Sequence, residues 1–441
     1  MGNHKFLFAR YASVVDALWL LALAVYILAG VAITPFHGDE AMQITMSRDY
    51  FVVFVKHQPQ ALTTLPPYFV DSPNWLRLIN GSVNPYAVGF SLAADGYGEK
   101  DLPPLWQWPL SYDENIAHGN RPTQAVLIVS RVSSAVFLML STAVLFGMGR
   151  QLRGRWAGYI ASALYALNPV VLLNGRRAMM EGSLLCFGLL AILVAILICK
   201  GRDGWRWWVA LGVASGLTLA SKHSGIVFVS AALGWVMIGI LAQRCREYRD
   251  FQSSVLTHVL HIGVCVAIMV GIFIALSPAQ WNDPVARLGD LVSERTKLLE
   301  SQVKAEPHTP TRLDERVAGI FTQPYIQAPV YFEAAFWANA KAIQAEIAQY
   351  DSSIWSGLHA GQVIGGLLTK LALVGVAVIT KAWRTWEIGV LVWLAVTVVS
   401  LLVNPLPWQR YYLALYPLAA LLTAIGTVTL SRWVSQRRSS I

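Results

Sequence analysis

Long runs of uncharged apolar residues recur from one end of this chain to the other, and they constrain its fold more than any other feature. A run of about 20 such residues crosses a hydrocarbon core as a helix. Ten are present, at roughly 13–34, 123–147, 156–173, 181–199, 207–220, 225–242, 256–276, 361–380, 386–403 and 411–430. In lipid the backbone must satisfy its own hydrogen bonds, so each run is expected to be helical. Segment 207–220 is short for a span, which requires an earlier start or a changed tilt. Composition agrees: with 55% hydrophobic and 13% charged residues, the chain is too apolar for a soluble domain. The expected fold class is an all-α polytopic membrane protein of about ten transmembrane helices, with ten to twelve as the range.

Lys5 and Arg10 precede the first run in the manner of a signal peptide. Its apolar core is longer than a signal h-region and no convincing cleavage site closes it, so a retained helix is expected. Cys186, Cys199, Cys245 and Cys265 all lie in or beside the spans, which excludes a disulfide framework or a cysteine metal site in the loops. The net charge of +9 would point to nucleic acid in a soluble protein. Here it has another origin, and nucleic acid is excluded as a partner. The short connections on one side carry Lys5 and Arg10; Arg150, Arg153 and Arg155; Lys200, Arg202 and Arg206; Arg244, Arg246 and Arg249; Lys381 and Arg384; and Arg432, Arg437 and Arg438. The positive-inside rule places that side, with both termini, in the cytoplasm.

The opposite side receives two long segments, 35–122 and 277–360, rich in Trp, Tyr and Pro and without low complexity. Both read as folded extracytoplasmic loops. The organisation is then a transmembrane module over 1–276 that includes the loop 35–122, a second loop over 277–360, and C-terminal transmembrane helices over 361–441. In the second loop, "YFEAAFWANAKAIQAEI" spaces Phe332, Phe336, Ala340, Ile343 and Ile347 as one helical face. Such a helix lies in the membrane interface or packs on the protein's own loops.

Charges on the loop side are the informative exceptions. The first run ends in "ITPFHGDEAM", which sets Asp39 beside Glu40; "NGRRAMMEG" carries Arg176, Arg177 and Glu181; "SKHSG" carries Lys222 and His223; "NPLPWQRYY" carries Arg410 and Tyr411. A charge at the membrane boundary costs about 2.5–3.5 kcal/mol by insertion scales unless paired or solvated. If the helices bundle, these groups form a cleft with carboxylates on one wall and cations on another. That suits transfer of a sugar from a polyprenyl phosphate. Cations stabilise the departing phosphate, a carboxylate takes the acceptor's proton, and direct displacement with one base inverts the anomeric centre. Each feature alone has an ordinary reading: an acidic pair after a helix is common, "GRR" contacts lipid headgroups, Lys222 snorkels, His223 is structural, and the aromatics of 406–416 form an interfacial belt. Arg131 and Lys370, the cations well inside spans, snorkel on the same view. What favours the catalytic reading is that the features share one face.

At this point a family resemblance enters. "HGDEAM", "RPTQAVLIVSRVSSAVF", "GRQLRGRWAGYIASALYALNPVVLLNGRRAMMEGSLL", "GLTLASKHSGIVF", "SPAQWNDPVARL" and "WQRYYLALYP" resemble, in order, spacing and sidedness, the lipid-linked-sugar glycosyltransferases of the GT-C fold. The branch is that of the protein mannosyltransferases and aminoarabinose transferases. The resemblance implies a GT-C-like bundle whose first loop holds one or two short helices along the membrane. It implies a polyprenyl-phosphate sugar as donor and Asp39 as base, with Glu40 beside it. Arg176, Arg177, Lys222 and Arg410 become the expected phosphate ligands, and Glu181, His223, Asp283 and Tyr411 the further active-site residues. No cofactor is required; a weak divalent-cation site at Asp39 and Glu40 is the open alternative. Glu181 stands where the family commonly has Asp. Without the appended soluble domain of eukaryotic protein mannosyltransferases, the acceptor stays open between protein, lipid and glycan, and the inner membrane of a prokaryote is favoured. The competing class is a transporter or flippase of a lipid-linked substrate, which would show internal repeats or mid-membrane ionisable groups; no repeat is visible.

Overall fold

The computed structural model describes residues 2–202, 204–247, 251–305, 312–333, 337, 339–406 and 408–438, and among them every regular element is helical. Helix α1 (Gly2–Ala29) leads into a first loop with α2 (Gly38–Met46), α3 (Pro73–Ile79) and α4 (Val83–Ala94). Then follow α5 (Gln124–Arg153), α6 (Arg155–Ala166), α7 (Pro169–Arg176), α8 (Glu181–Cys199), α9 (Trp205–Ser221), α10 (Ile226–Glu247) and α11 (Phe251–Leu276). The second loop holds α12 (Pro284–Ala305), α13 (Leu313–Thr322) and α14 (Lys341–Asp351), before α15 (Gly361–Lys381), α16 (Gly389–Val403) and α17 (Leu415–Arg438).

Each of the ten apolar runs is thus helical. Among the described residues eight helices are long and apolar enough to cross a membrane, and the pair α6–α7, bent by 66°, makes a ninth if counted as one span. The bend has a local cause. Proline disfavours helical geometry in the residue before it, and Asn168, preceding Pro169, is extended and turns its side chain to accept from the Val170 and Val171 amides. The short fifth run begins at Trp205 and gives a 17-residue helix.

Helices α8 and α17 run through the centre of the bundle, and their buried side chains join those of α5, α6 and α10 in one core. Where α15 crosses α17 the backbones nearly touch: a Cβ on Gly375 would sit 2.1 Å from the Leu422 carbonyl. Small residues allow this approach, which replaces the hydrophobic driving force that lipid removes.

The two long loops fold onto each other. Phe36, Ala41, Ile44, Trp106 and Tyr112 of the first share a core with Phe332, Trp337 and Ile343 of the second. The helix expected over the aromatic stretch of the second loop is shorter than its spacing suggests. Phe332 and Glu333 lie in non-helical chain, Phe336 falls outside the described residues, and α14 begins at Lys341. Ile343 is buried and Ile347 packs against the shared core, so α14 rests on the protein's own loops. Gly81 docks the first loop on the end of α9; a Cβ there would stand 2.1 Å from the Ser221 carbonyl.

Candidate active site

The site begins with a helix start. His37 caps α2: its Nδ1 accepts from the Asp39 amide (3.1 Å), and the Glu40 carboxylate accepts from the His37 amide (3.0 Å). That reciprocal arrangement closes orphan amides at the first turn. Successive helical residues point about 100° apart, so the two adjacent acids diverge. Glu40 turns inward. It is 0% exposed, and Arg131 of α5 grips it with Nε (2.7 Å) and Nη2 (2.8 Å) while the Ala178 amide donates to it at 2.9 Å. Arg131 therefore does not snorkel; it is the buried counterion of Glu40, and a fork-on-carboxylate geometry makes the pair strong.

Asp39 turns the other way, into a cavity of about 440 Å³. There Arg410 donates from Nη1 to Asp39 Oδ2, and Arg410 Nε lies 3.2 Å from Glu333 Oε1. Because His37 Nδ1 accepts from an amide, its proton sits on Nε2, which donates to Glu333 Oε2 at 3.1 Å. The His37 ring stacks on Phe332 at 4.7 Å. Arg410 is positioned by its neighbour: Gln409 accepts from the Val330 amide (2.7 Å) and donates to Gln323 (2.9 Å) and the Ala328 carbonyl (3.1 Å). Burial alone would raise the Asp39 and Glu333 carboxyls, but the Arg410 guanidinium, with His37, overrides it and holds both below the ordinary carboxylate range.

A second cavity, about 520 Å³, opens beside the first and is largely apolar, with Leu184, Val227, Phe228, Leu291, Leu401 and Leu413 in its wall. Lys222, Arg295, Arg410 and Tyr411 line both cavities. Lys222 donates to the buried Glu181 Oε1 at 2.5 Å, and Glu181 Oε2 has no hydrogen-bond partner among the described residues. Arg295 projects from the face of α12 that Leu291 seats against Leu78, Ala220 and Phe273, one helical turn away. It makes no hydrogen bond or ion pair with the described residues. Two structural walls thus meet at a strip of cations, polar on one side and apolar on the other.

The expected site residues divide accordingly. Asp39, Lys222, Arg410 and Tyr411 come together at the cavities; Glu181 is reached through Lys222, and His223 lies in the wall of the apolar one. Arg176 and Arg177 line neither, so the expected approach of either to Lys222 is absent. Arg176 donates to the carbonyls of Tyr26 (2.7 Å), Ile27 (2.8 Å) and Trp355 (2.5 Å). Arg177 donates to those of Pro35 (3.1 Å) and Tyr331 (2.9 Å), tying together the segments that carry His37 and Glu333. A guanidinium committed to carbonyls in this way is a brace. Asp283 is exposed and caps α12 by accepting from the Ala286 amide at 3.1 Å. With Glu40 closed on Arg131, Asp39 and Glu40 do not share a cation site, and among the described residues no group of three or more His, Cys, Asp or Glu side chains is arranged for a metal.

His37, Arg295, Glu333 and Trp408 escaped the sequence reading. Arg295 sits in the charged run "SERTKLLE", which hides it, and Glu333 in an aromatic stretch read as a helix face. Trp408 stacks on Tyr411 at 5.7 Å with planes 7° apart, and Arg410 lies 4.8 Å over its ring. These rings line the site as well as matching an interfacial belt.

Known proteins share this architecture. Residues 101–273 match the family described as dolichyl-phosphate-mannose-protein mannosyltransferase. No curated protein matches the sequence. The chain is similar to the archaeal oligosaccharyltransferase AglB from Archaeoglobus fulgidus, solved in complex with an inhibitory peptide and a dolichol-phosphate: 11% identity over 96% of this chain and 51% of that one, with a TM-score of 0.53. It is similar also to ArnT from Cupriavidus metallidurans in the apo state, at 14% identity over 94% of this chain and 60% of that one, with a TM-score of 0.51. The chain spans about half to three-fifths of these solved chains, and at such identities the likeness is one of fold. The chain accordingly has the GT-C-like helical fold of these solved structures, and its residues 101–273 carry the likeness to the mannosyltransferase family.

Proposed function

We propose that this protein transfers a sugar from a polyprenyl-phosphate carrier to an acceptor hydroxyl of a protein, lipid or glycan, at the extracytoplasmic face of a prokaryotic inner membrane. The observation that carries the reading is the junction of the cavities. The apolar one suits a prenyl tail, where each buried methylene contributes about 0.8 kcal/mol. The polar one suits a sugar beside a carboxylate, and Lys222, Arg295 and Arg410 stand at the boundary where a phosphate joins the two. That a protein of the same fold has been solved with a dolichol-phosphate supports the donor class.

In this reading Asp39 is the general base. The acceptor oxygen attacks the anomeric carbon as its proton passes to the Asp39 carboxylate. The carbon–phosphate oxygen bond breaks, its electron pair stays on the phosphate, and polyprenyl phosphate leaves. The three cations stabilise the charge that grows on the leaving oxygen. A single displacement inverts the anomeric centre. Glu40 and Arg177 act at one remove, by fixing α2 and the segment that carries Glu333.

A photoreactive polyprenyl phosphate tests the junction. Crosslinks are expected within 291–299 of α12 and 400–413 before α17. Crosslinks confined to the separate cavity between Leu164 and Leu368 would overturn the assignment.

A further inference from the structure

The guanidinium of Arg410 has three faces in three different situations. Nη1 donates to Asp39, Nε faces Glu333 without an aligned hydrogen bond, and Nη2 takes no partner among the described residues. The group also lies over Trp408, which fixes its plane, and borders both cavities. We propose that the donor phosphate and the carboxylates of Asp39 and Glu333 compete for Arg410, so that donor binding loosens Arg410 from Asp39 and frees the base only when a sugar is in place. This inference rests on the junction being the phosphate site.

The charges facing the junction show why competition follows. Lys222, Arg295 and Arg410 stand against Asp39, Glu333 and Glu181, with Asp71 also in the lining of the polar cavity. Carboxylates already balance the cations without a ligand. A phosphate adds negative charge, and the attraction it gains from Arg410 is attraction that Asp39 and Glu333 lose. Lys222 is held by Glu181 and lies over the Tyr411 ring, and Arg295 has no hydrogen-bond or ion-pair partner among the described residues to surrender. Of the three cations Arg410 is the one paired with the base, so it converts donor occupancy into a change at Asp39. Glu333 has the complementary part. His37 Nε2 anchors it at 3.1 Å, so it keeps Arg410 in place when Asp39 turns to the acceptor. It is a positioning residue, not one that touches the reacting atoms.

Coupling between two sites is reciprocal in binding free energy. If Asp39 and phosphate compete, removing the Asp39 charge must strengthen phosphate binding. The test uses the full chain in nanodiscs, with undecaprenyl phosphate as the probe and a thermal melt to establish folding. Asp39→Asn and Glu333→Gln should each bind the probe about fivefold or more tightly than the unaltered protein, the lower end of typical coupling. Glu333→Gln should also lower kcat while lowering KM for the donor, because Arg410 then grips Asp39 alone; a merely structural role would worsen both. Asp71→Asn, which removes a charge from the same cavity without touching Arg410, should leave probe affinity unchanged. Equal tightening by all three would mean bulk electrostatics and defeat the proposal. So would unchanged or weaker binding by folded Asp39→Asn and Glu333→Gln proteins when the unaltered protein binds. Failure of the unaltered protein to bind at all would remove the phosphate site itself, and the competition with it.

Discussion

Arg410 closes on the carboxylate of Asp39 across 371 positions of sequence. This contact joins the first long loop of the chain to the turn that enters its last helix, and it places the acid that follows α1 at the wall of the polar cavity that meets the apolar one.

The first prediction concerns that acid. Asp39→Asn keeps shape and removes proton affinity, and loss of a general base typically lowers rate by about 10² to 10⁴. Turnover of a polyprenyl-phosphate sugar in reconstituted membranes is the measurement. Near-normal turnover would take Asp39 out of the mechanism and leave Glu333 as the next carboxylate to examine.

The neighbouring acid should behave differently. Glu40 is fully buried against Arg131, and removing one partner of such a pair costs about 3–5 kcal/mol. Glu40→Gln should therefore lower the melting temperature strongly, with activity lost through the folded fraction. Burial alone would raise the Glu40 carboxyl, but Arg131 holds it below its ordinary value. A carboxyl depressed in the folded state stabilises above its unfolded pKa of about 4.3 and loses that contribution as pH falls. Acid should then melt the unaltered protein more steeply than the Glu40→Gln protein. Parallel acid profiles would contradict this.

Two cations at the junction should separate binding from stability. Arg295 has no counterion among the described residues, so Arg295→Gln should weaken undecaprenyl phosphate binding and leave the melting temperature unchanged. Lys222→Met should weaken binding and also destabilise, since it leaves Glu181 buried without its cation at 2.5 Å. Equal stability losses in the two variants would mean that Arg295 has a structural partner after all.

Topology gives the fourth. Cysteines introduced at Asp95 and Ser301, both exposed in the loops, should label from outside the cell, and one at Ser435 should not. The opposite pattern would move the site to the cytoplasmic face and rule out an extracytoplasmic reaction.

The sequence by itself determined the helices, because hydropathy and run length are local properties and each apolar run must become a helix in lipid. It also pointed to Asp39, Lys222 and Arg410 as flanking their runs on the same face. It did not determine which acid meets which cation. Glu40 and Asp39 are adjacent in sequence yet pair with Arg131 and Arg410, and nothing in their local pattern separates the brace from the base. "GRR" reads as a phosphate ligand until α7 places Arg176 and Arg177 among the carbonyls of Tyr26, Ile27, Pro35 and Tyr331. Glu333 and Arg295 entered the site only when the second loop folded over the first. These pairings connect residues 91 to 371 positions apart, and short-range interactions lose their strength within a few ångströms. Only the packing that brings the segments together decides them.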